Sequence, residues 1–298
     1  MNGAGLKAAA LVLGLAALPA AAAPLPADEL EQRCWLSHTR ERTRVNLRET
    51  SVVEFSNLKS GVEVRAPFAV DFAVRGLGVA PAGVKLEGTG HHHILVNRSM
   101  PSSVSEKLPF DDSHRHFGKG QTGTLLDLPP GKHRLRLLFA DHEHRPYFVF
   151  SPEITVEVTG PRTAQAPAID PRNFDATCAA WYQDEMARPR PPGELVSIVN
   201  LREGEVVSSP FSVRFGVDGF GVCAAGPTVE RTGHFLLEIL RDGRLLRSVD
   251  LANGATQSNL VLDNGAHVLK LRFVDAGSQR DLLPPSEVPV LVSGQDRL

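Results

Sequence analysis

The stretch SNLKSGVEVRAPFAVDFAVRGLGVAPAG (residues 56–83) has a second copy, VNLREGEVVSSPFSVRFGVDGFGVCAAG (199–226), at an offset of 143 residues. Thr89-Gly90-His91 repeats as Thr232-Gly233-His234 at the same offset. Farther on, PPGKHRLRLLFADHEH (129–144) repeats as DNGAHVLKLRFVDAGS (263–278) at an offset of 134. The chain therefore contains an internal duplication, and we expect both copies to fold alike.

Each copy contains short apolar runs that alternate with other residues, such as Phe68-Val70-Phe72-Val74 and Leu135-Leu137-Phe139. Alternation with β-branched and aromatic residues, broken by Gly, Pro, Asn and Asp, is typical of half-buried strands. Several short strands over roughly 100 residues favour a β-sandwich. The sequence therefore predicts an all-β fold of two tandem antiparallel immunoglobulin-like β-sandwich domains, joined by a linker rich in proline and alanine.

The first residues have the features of a cleaved signal peptide. Lys7 precedes an apolar run and then small residues at Ala20–Ala23. The run is shorter than the roughly 20 residues that span a bilayer, so we expect export to the periplasm or the outside and no integral membrane segment. The predicted organisation is a signal peptide (1–22), an N-terminal segment (23–50), a His-rich sandwich (51–160), a linker with a short helical segment (161–193) and a degenerate second sandwich (194–298).

The charge of the chain excludes one class of partner. The 298 residues include 32 basic and 34 acidic side chains, which gives a formal charge of −2. Because the sequence has no long basic block, it lacks the electrostatic footprint of a nucleic-acid-binding protein.

Eight of the 11 histidines fall between His91 and His144. Six of them form three H-x-H units, in which residues i and i+2 of an extended strand point to the same face. Neutral imidazole is the commonest transition-metal ligand, and a nitrogen-rich site suits copper or zinc. The predicted ligands are His91, His93, His114, His116, His142 and His144, with His92 as an uncertain member. Carboxylates that could ligate the ion or orient a ring are Asp111, Asp112, Asp141 and Glu143.

The second copy serves as an internal control. It keeps His91 as His234 and His133 as His267, and it largely lacks the loop that carries His114 and His116. At the other matched positions it has Phe235 and Leu236 in place of His92 and His93, and Ala276 and Ser278 in place of His142 and His144. Because one copy does without these histidines, we assign them to a site in the first copy and His133 to structure.

The motifs of the first copy resemble those of the bacterial domain of unknown function 4399. The resemblance rests on P-F-x-V-x-F, T-G-H-H-H, P-F-D-D-x-H-R-H-F-G-x-G-Q-T, L-P-P-G-x-H and D-H-x-H. It covers residues 53–158 well, and the second copy resembles the same domain over 196–292 without most of the signature. The resemblance implies a secreted or periplasmic domain and supplies no reaction.

The three cysteines predict one disulfide and one free thiol. Cys34 and Cys178 stand at equivalent positions before the two copies, which favours a Cys34–Cys178 bond. A bond between Cys178 and Cys223 is the alternative.

These observations predict an exported transition-metal-binding protein that holds copper or zinc in its first domain. The second domain would then be a scaffold or a contact surface for another cell-envelope protein. One alternative is a metal-dependent periplasmic enzyme, either an oxidoreductase or a hydrolase, with an open coordination position. Another is a cell-envelope interaction module without a metal, in which the histidines form a pH-responsive cluster.

Overall fold

A computed structural model describes residues 20–21, 23–45 and 52–295. Within these ranges the fold is all-β with a few short helices, and none of those helices is long and apolar enough to cross a membrane. The predicted signal peptide (1–22) lies outside the described residues except for Ala20 and Ala21. The predicted domain boundaries stay predictions.

The leading segment packs beside the second sandwich. It contains strand β1 (Ala20–Ala21) and helices α1 (Glu29–Ser37) and α2 (Thr39–Arg42). Asp28 begins α1 because its carboxylate accepts hydrogen bonds from the backbone N–H groups of Leu30 and Glu31.

The first half of the molecule, residues 52–161, is a sandwich of two sheets. Its strands are β2 (Val52–Phe55), β3 (Val62–Ala66), β4 (Phe68–Arg75), β5 (Gly78–Val79), β6 (Thr89–Val96), β7 (His114–Phe117), β8 (Gly123–Leu126), β9 (Gly131–Ala140), β10 (Pro146–Phe150) and β11 (Ile154–Pro161). The larger sheet has the order β3-β11-β9-β6-β5, with β7 paired to β6 and β10 to β9, and the smaller sheet has the order β2-β4-β8.

The second half, residues 195–295, follows a segment that contains a 3-10 turn (Pro171–Asn173) and helix α3 (Phe174–Met186). Its strands are β12 (Leu195–Ile198), β13 (Glu205–Ser209), β14 (Phe211–Asp218), β15 (Gly221–Val222), β16 (Thr232–Arg241), β17 (Arg244–Asp250), β18 (Gln257–Leu260), β19 (Gly265–Val274) and β20 (Ser286–Gln295). The order β20-β19-β16-β15 in one sheet and β12-β14-β18 in the other repeats that of the first half. The predicted all-β fold with two immunoglobulin-like sandwiches is confirmed.

The alternation in the sequence fills the core. On β4, the side chains of Phe68, Val70, Phe72 and Val74 all belong to the main hydrophobic cluster. Phe211 to Val217 on β14 repeats this arrangement, and both sets belong to one cluster that runs through the two halves. The two sandwiches therefore share a continuous core.

The two halves meet through reciprocal hydrogen bonds. The backbone N–H of Val74 donates to Thr256 Oγ1, and that of Val217 donates to Thr122 Oγ1, both at 2.9 Å. Similarly, Val79 N–H donates to the carbonyl of Gly254 and Val222 N–H to that of Gly120. Gly120 and Gly254 have φ of +79° and +81°, and a Cβ on either would collide with the backbone of the opposite half. Equivalent residues thus make equivalent contacts around a pseudo-two-fold axis.

The helices are exchanged between the halves. Helix α3 precedes the second half but packs on β3 of the first, where Asp184 pairs with Arg65 and Arg162. Helices α1 and α2 precede the first half but pack at β13 of the second. A disulfide bond between Cys34 and Cys178 joins α1 to α3, and Cys223 is a buried free thiol.

Glu205 on β13 holds this exchanged segment. Its carboxylate is fully buried and accepts hydrogen bonds from Trp35 Nε1 at 2.6 Å, from Thr39 Oγ1 and from the backbone N–H of Arg202 at 2.8 Å. Arg42 Nη2 lies 2.6 Å from the same carboxylate and is also buried. The arrangement satisfies a buried charge with a counterion and three further donors.

We expect Glu205→Ala to lower the free energy of unfolding by about 3–5 kcal/mol, because it leaves the Arg42 guanidinium buried without its counterion. The measurement is equilibrium denaturation in urea. Glu287→Ala is the control, since it removes a partly exposed ion pair with Lys270 and should cost about 1 kcal/mol or less. Equal losses in the two variants would contradict this account.

Candidate metal centre

Strand β6 divides its three consecutive histidines between two faces. His92, Ile94 and Val96 point into the main core, where His92 lies between the rings of Phe72 and Phe139. His91 and His93 therefore point to the opposite face of the sheet, because side chains alternate along a strand. All three imidazoles are fully buried.

A third imidazole comes from β7, which pairs with β6 in antiparallel register. His116 lies directly opposite His93 in this pairing. Gly118, two residues later, leaves the space that the His116 ring occupies, since a Cβ there would collide with that ring.

The fourth imidazole belongs to His144, in the turn between β9 and β10. The Asp141 carboxylate shapes this turn by accepting hydrogen bonds from the backbone N–H groups of Glu143 and Arg145, both at 2.8 Å. His144 has φ of +70°, a left-handed conformation that is uncommon for a residue with a side chain. The turn aims its ring at the histidines of β6 and β7.

The four rings form a cluster with nearly uniform spacing. Ring centroids lie 4.9–5.0 Å apart for five of the six pairs, and 6.1 Å apart for His93 and His144. The Nε2 atoms of His91 and His93 are 3.1 Å apart, and a ligand nitrogen of each of His91, His93 and His116 lies within 4.8 Å of the others. We call His91, His93, His116 and His144 the histidine cluster.

Five of the six centroid distances match those of imidazoles around a tetrahedral ion, whereas the group of ligand nitrogens within 4.8 Å of one another holds His91, His93 and His116 without His144. Four rings bound at metal–nitrogen distances of about 2.0–2.1 Å in tetrahedral geometry have centroids about 5 Å apart. The donor set is also chemically suitable, because all four side chains offer imidazole nitrogens and no thiolate competes with them. The residues present thus fit one transition-metal ion.

The surroundings favour the neutral form of three rings of the cluster, those of His91, His93 and His116. Burial, and then repulsion from neighbouring imidazoles, lowers the pKa of His91 to about 3 and that of His93 to about 2. The pKa of the more exposed His116 is also lowered, first by burial and then by His144. At neutral pH the nitrogen lone pairs on these three rings are therefore available to a ligand ion.

The first histidine of each of the other two H-x-H units, His114 or His142, lies outside the cluster. His114 faces Leu95 in the strand pairing, two residues along from His116, and its Nδ1 lies 2.9 Å from Asp111 Oδ1. His142 belongs to a turn, where residues i and i+2 do not share a face, and its carbonyl accepts a hydrogen bond from Gly83. The structure thus brings one H-x-H unit into the cluster in full and one ring from each of the other two.

The predicted carboxylates have other partners. Asp112 is exposed and lies 3.3 Å from Arg115, and Glu143 pairs with Arg145 and lies 3.9 Å from Lys107. Asp141 is occupied by the backbone of its turn, and Asp275 makes the same kind of turn in the second half. These carboxylates shape the loops around the cluster.

His133 and His267 have the structural role predicted from their retention in both copies. The Nε2 atom of each bonds to the carbonyl oxygen four residues earlier, that of Pro129 at 2.8 Å and that of Asp263 at 2.9 Å. Each histidine thereby fixes the turn before its strand.

The second half replaces the cluster with a different polar group. His234 corresponds to His91, Leu236 to His93, and Asp250, which pairs with Leu236, to His116. The turn after β19 is one residue longer than the turn after β9. Gln279, with φ of +53°, therefore takes the place of His144, although the sequence alignment matched His144 with Ser278. The Asp250 carboxylate lies 3.0 Å from His234 Nε2 and accepts a 3.4 Å hydrogen bond from Gln279.

Two further residues of the site carried no recognisable ligand signal in the sequence. Phe110 contacts the rings of His116 and His144, and Gly118 accommodates His116. Both stand within the motif P-F-D-D-x-H-R-H-F-G, whose histidines alone suggested chemistry. A second group with suitable atoms, Cys34, His38 and Cys178, contains the disulfide, and His38 stacks on Tyr182.

Residues 70–159 match the model of a protein family, Domain of unknown function (DUF4399). The match contains all four residues of the histidine cluster and confirms the resemblance inferred from the motifs of the first copy. The resemblance of the second copy stays a prediction. No curated protein matches the chain.

Several solved structures match the chain at low identity and low TM-score. The fibronectin(III)-like modules of Clostridium thermocellum CbhA are 12% identical with a TM-score of 0.22, over 83% of this chain and 96% of theirs. A beta-glucuronidase of Parabacteroides merdae is 12% identical with a TM-score of 0.23, over 88% of this chain and 26% of its own. The central fibronectin-III array of RIM-binding protein is 10% identical with a TM-score of 0.23, over 84% and 69%.

We expect His92→Phe to stabilise the protein by about 1 kcal/mol, because neither ring nitrogen makes a hydrogen bond of good geometry in the core. The second half has Phe235 at the equivalent position, between Phe215 and Phe273, so the larger ring fits this environment. Equilibrium denaturation measures the change, and Phe235→His should destabilise. Loss of stability in His92→Phe would contradict the assignment of His92 to the core.

Proposed function

We propose that the first half binds one transition-metal ion, zinc or copper, through His91, His93, His116 and His144. The observation that carries the proposal is the near-equal spacing of the four rings, with five centroid distances of 4.9–5.0 Å. The lowered pKa values of His91, His93 and His116 support it, because neutral imidazoles are the form that ligates.

The geometry favours zinc over divalent copper. Zn(II) has no geometric preference from its d electrons and takes four tetrahedral ligands in closed sites, whereas Cu(II) prefers tetragonal arrangements. Copper nevertheless binds nitrogen sites more tightly in general, so the selectivity has to be measured by competition.

Binding is favoured over catalysis at this centre. Four protein ligands complete a tetrahedral shell, whereas catalytic zinc sites keep one position for water or substrate. We further propose that the protein acts after export, in the periplasm or outside the cell. The apolar leader and the Cys34–Cys178 disulfide support this location, since disulfides persist in oxidising compartments. A partner for the second half stays a prediction.

We expect the untagged protein to bind one zinc ion per chain in titrations followed by elemental analysis. His93→Leu, His116→Asp and His144→Gln, which introduce the residues of the second half, should each weaken binding by about 100-fold or more, since loss of an outer-shell partner alone costs about 10- to 100-fold. His114→Gln and His142→Ala are matched controls that should retain stoichiometric binding. No binding by the wild-type chain, or equal losses in the controls, would refute the proposed ligand set.

The converse experiment builds the centre in the second half. Leu236→His, Asp250→His and Gln279→His together complete a set of four histidines with His234, so this variant should bind two ions per chain. Leu236→His alone is the control and should bind one, because Asp250 and Gln279 remain hydrogen-bonded to each other. A triple variant that is folded and still binds only one ion would show that these positions do not reproduce the geometry.

A further inference from the structure

An aromatic side chain covers the outer side of the histidine cluster. The ring of Phe110 lies 4.8 Å from those of His116 and His144, and it stacks at 6.4 Å over that of His93. It therefore covers the face of the cluster formed by these three rings, opposite His91. Phe110 is itself 59% exposed, so one side of its ring meets the cluster and the other meets solvent.

The position of Phe110 is fixed from both sides along the chain. Leu108, two residues earlier, donates its backbone N–H to the carbonyl of His144 at 2.9 Å. Asp111, the next residue, accepts hydrogen bonds from the backbone of Ser113 and His114 and contacts the His114 ring at 2.9 Å. His114 thus acts outside the cluster, by holding the loop that carries Phe110.

This loop, residues 97–113, is attached more weakly than the sandwich. It packs on a small hydrophobic cluster of its own, formed by Leu95, Leu108, Leu138 and Ala140 with Met100 against them. A segment that rests on few apolar contacts opens at a lower free energy than the core. Opening of this loop would therefore move Phe110 while β6 and β7 stay paired.

The second half has neither the cluster nor the cover. There β17 follows β16 after only Asp242 and Gly243, in a direct hairpin with no intervening loop. The long loop occurs in the half where four rings converge. Its presence therefore accompanies the site and is not a requirement of the sandwich.

We propose that Phe110 is a gate on the metal centre, which keeps water and small ligands from the ion when closed and exposes the face formed by His93, His116 and His144 when open. This inference rests on the proposed function. The ligands that would enter are small neutral nitrogen donors such as imidazole, because they fit the space left by one phenyl ring and would add to the four protein ligands as a fifth donor.

The test compares release of the ion from the wild-type chain, Phe110→Ala, Phe110→Trp and Phe148→Ala. Each is loaded with Co(II), whose absorption spectrum reports coordination, and is mixed with excess chelator or with imidazole. Phe148 is a matched control, because it is an exposed phenylalanine (73%) whose ring contact is with Phe150, away from the cluster. Thermal unfolding of the metal-free variants shows whether each is folded.

We expect Phe110→Ala to bind one ion but to release it to chelator about tenfold faster or more, since the apolar shell around a site controls access to it. Its Co(II) spectrum should change on addition of imidazole, whereas the spectra of the wild type, Phe148→Ala and Phe110→Trp should not. Equal release rates in the wild type and a folded Phe110→Ala, each carrying one ion, would overturn the gate alone. A wild-type chain that takes up no ion would refute the proposed function and the gate with it.

Discussion

The register between β6 and β7 determines whether a metal centre can exist in this molecule. His91 and His93 share a face because they are two residues apart on a strand, and the pairing sets His116 opposite His93. A slip of one residue would turn the outward histidines into the core and bring His92 out. The register is protected because Ile94, Val96 and His92 face the main core on the other side. The hydrophobic core thus specifies the geometry of the polar cluster across the sheet.

The duplication separates the requirements of the fold from those of the site. Both halves keep the buried aromatic strands, the turn-forming Asp141 and Asp275, and the reciprocal contacts of Val74 and Val217 with threonines of the opposite half. Exchange of the leading helices, together with the disulfide, ties the halves into one unit. The second half therefore supports the first through a shared core whether or not it has a ligand of its own.

The sequence predicted the duplication because two stretches are similar at a fixed offset, and it predicted the sandwich fold and the first H-x-H unit because both depend on the two-residue period of a strand. The prediction assumed that every H-x-H unit lies on a strand, whereas His142 and His144 belong to a turn held by the Asp141 carboxylate. For His114, the strand assumption was right, but a displacement of two residues along β7, about 6.8 Å, carries its side chain beyond the cluster. Phe110 could not be recognised as part of the site from the sequence. Its position depends on the hydrogen bond from Leu108 to the carbonyl of His144 and on the contact between Asp111 and His114.

The two halves place different polar groups at equivalent positions. Where the first half gathers four imidazoles, the second sets the Asp250 carboxylate between His234 and Gln279. Buried Nδ1 atoms without a hydrogen-bond partner among the described residues occur in both halves, on His91 and His93 and on His234. An unpaired buried polar atom costs about 1–3 kcal/mol, so this cost is common to both halves and does not distinguish the cluster. What the second half lacks is the convergence of four rings, because Leu236 and Asp250 stand at the positions of His93 and His116. The sandwich folds without that convergence, which is why we assign the cluster to a ligand and not to the fold.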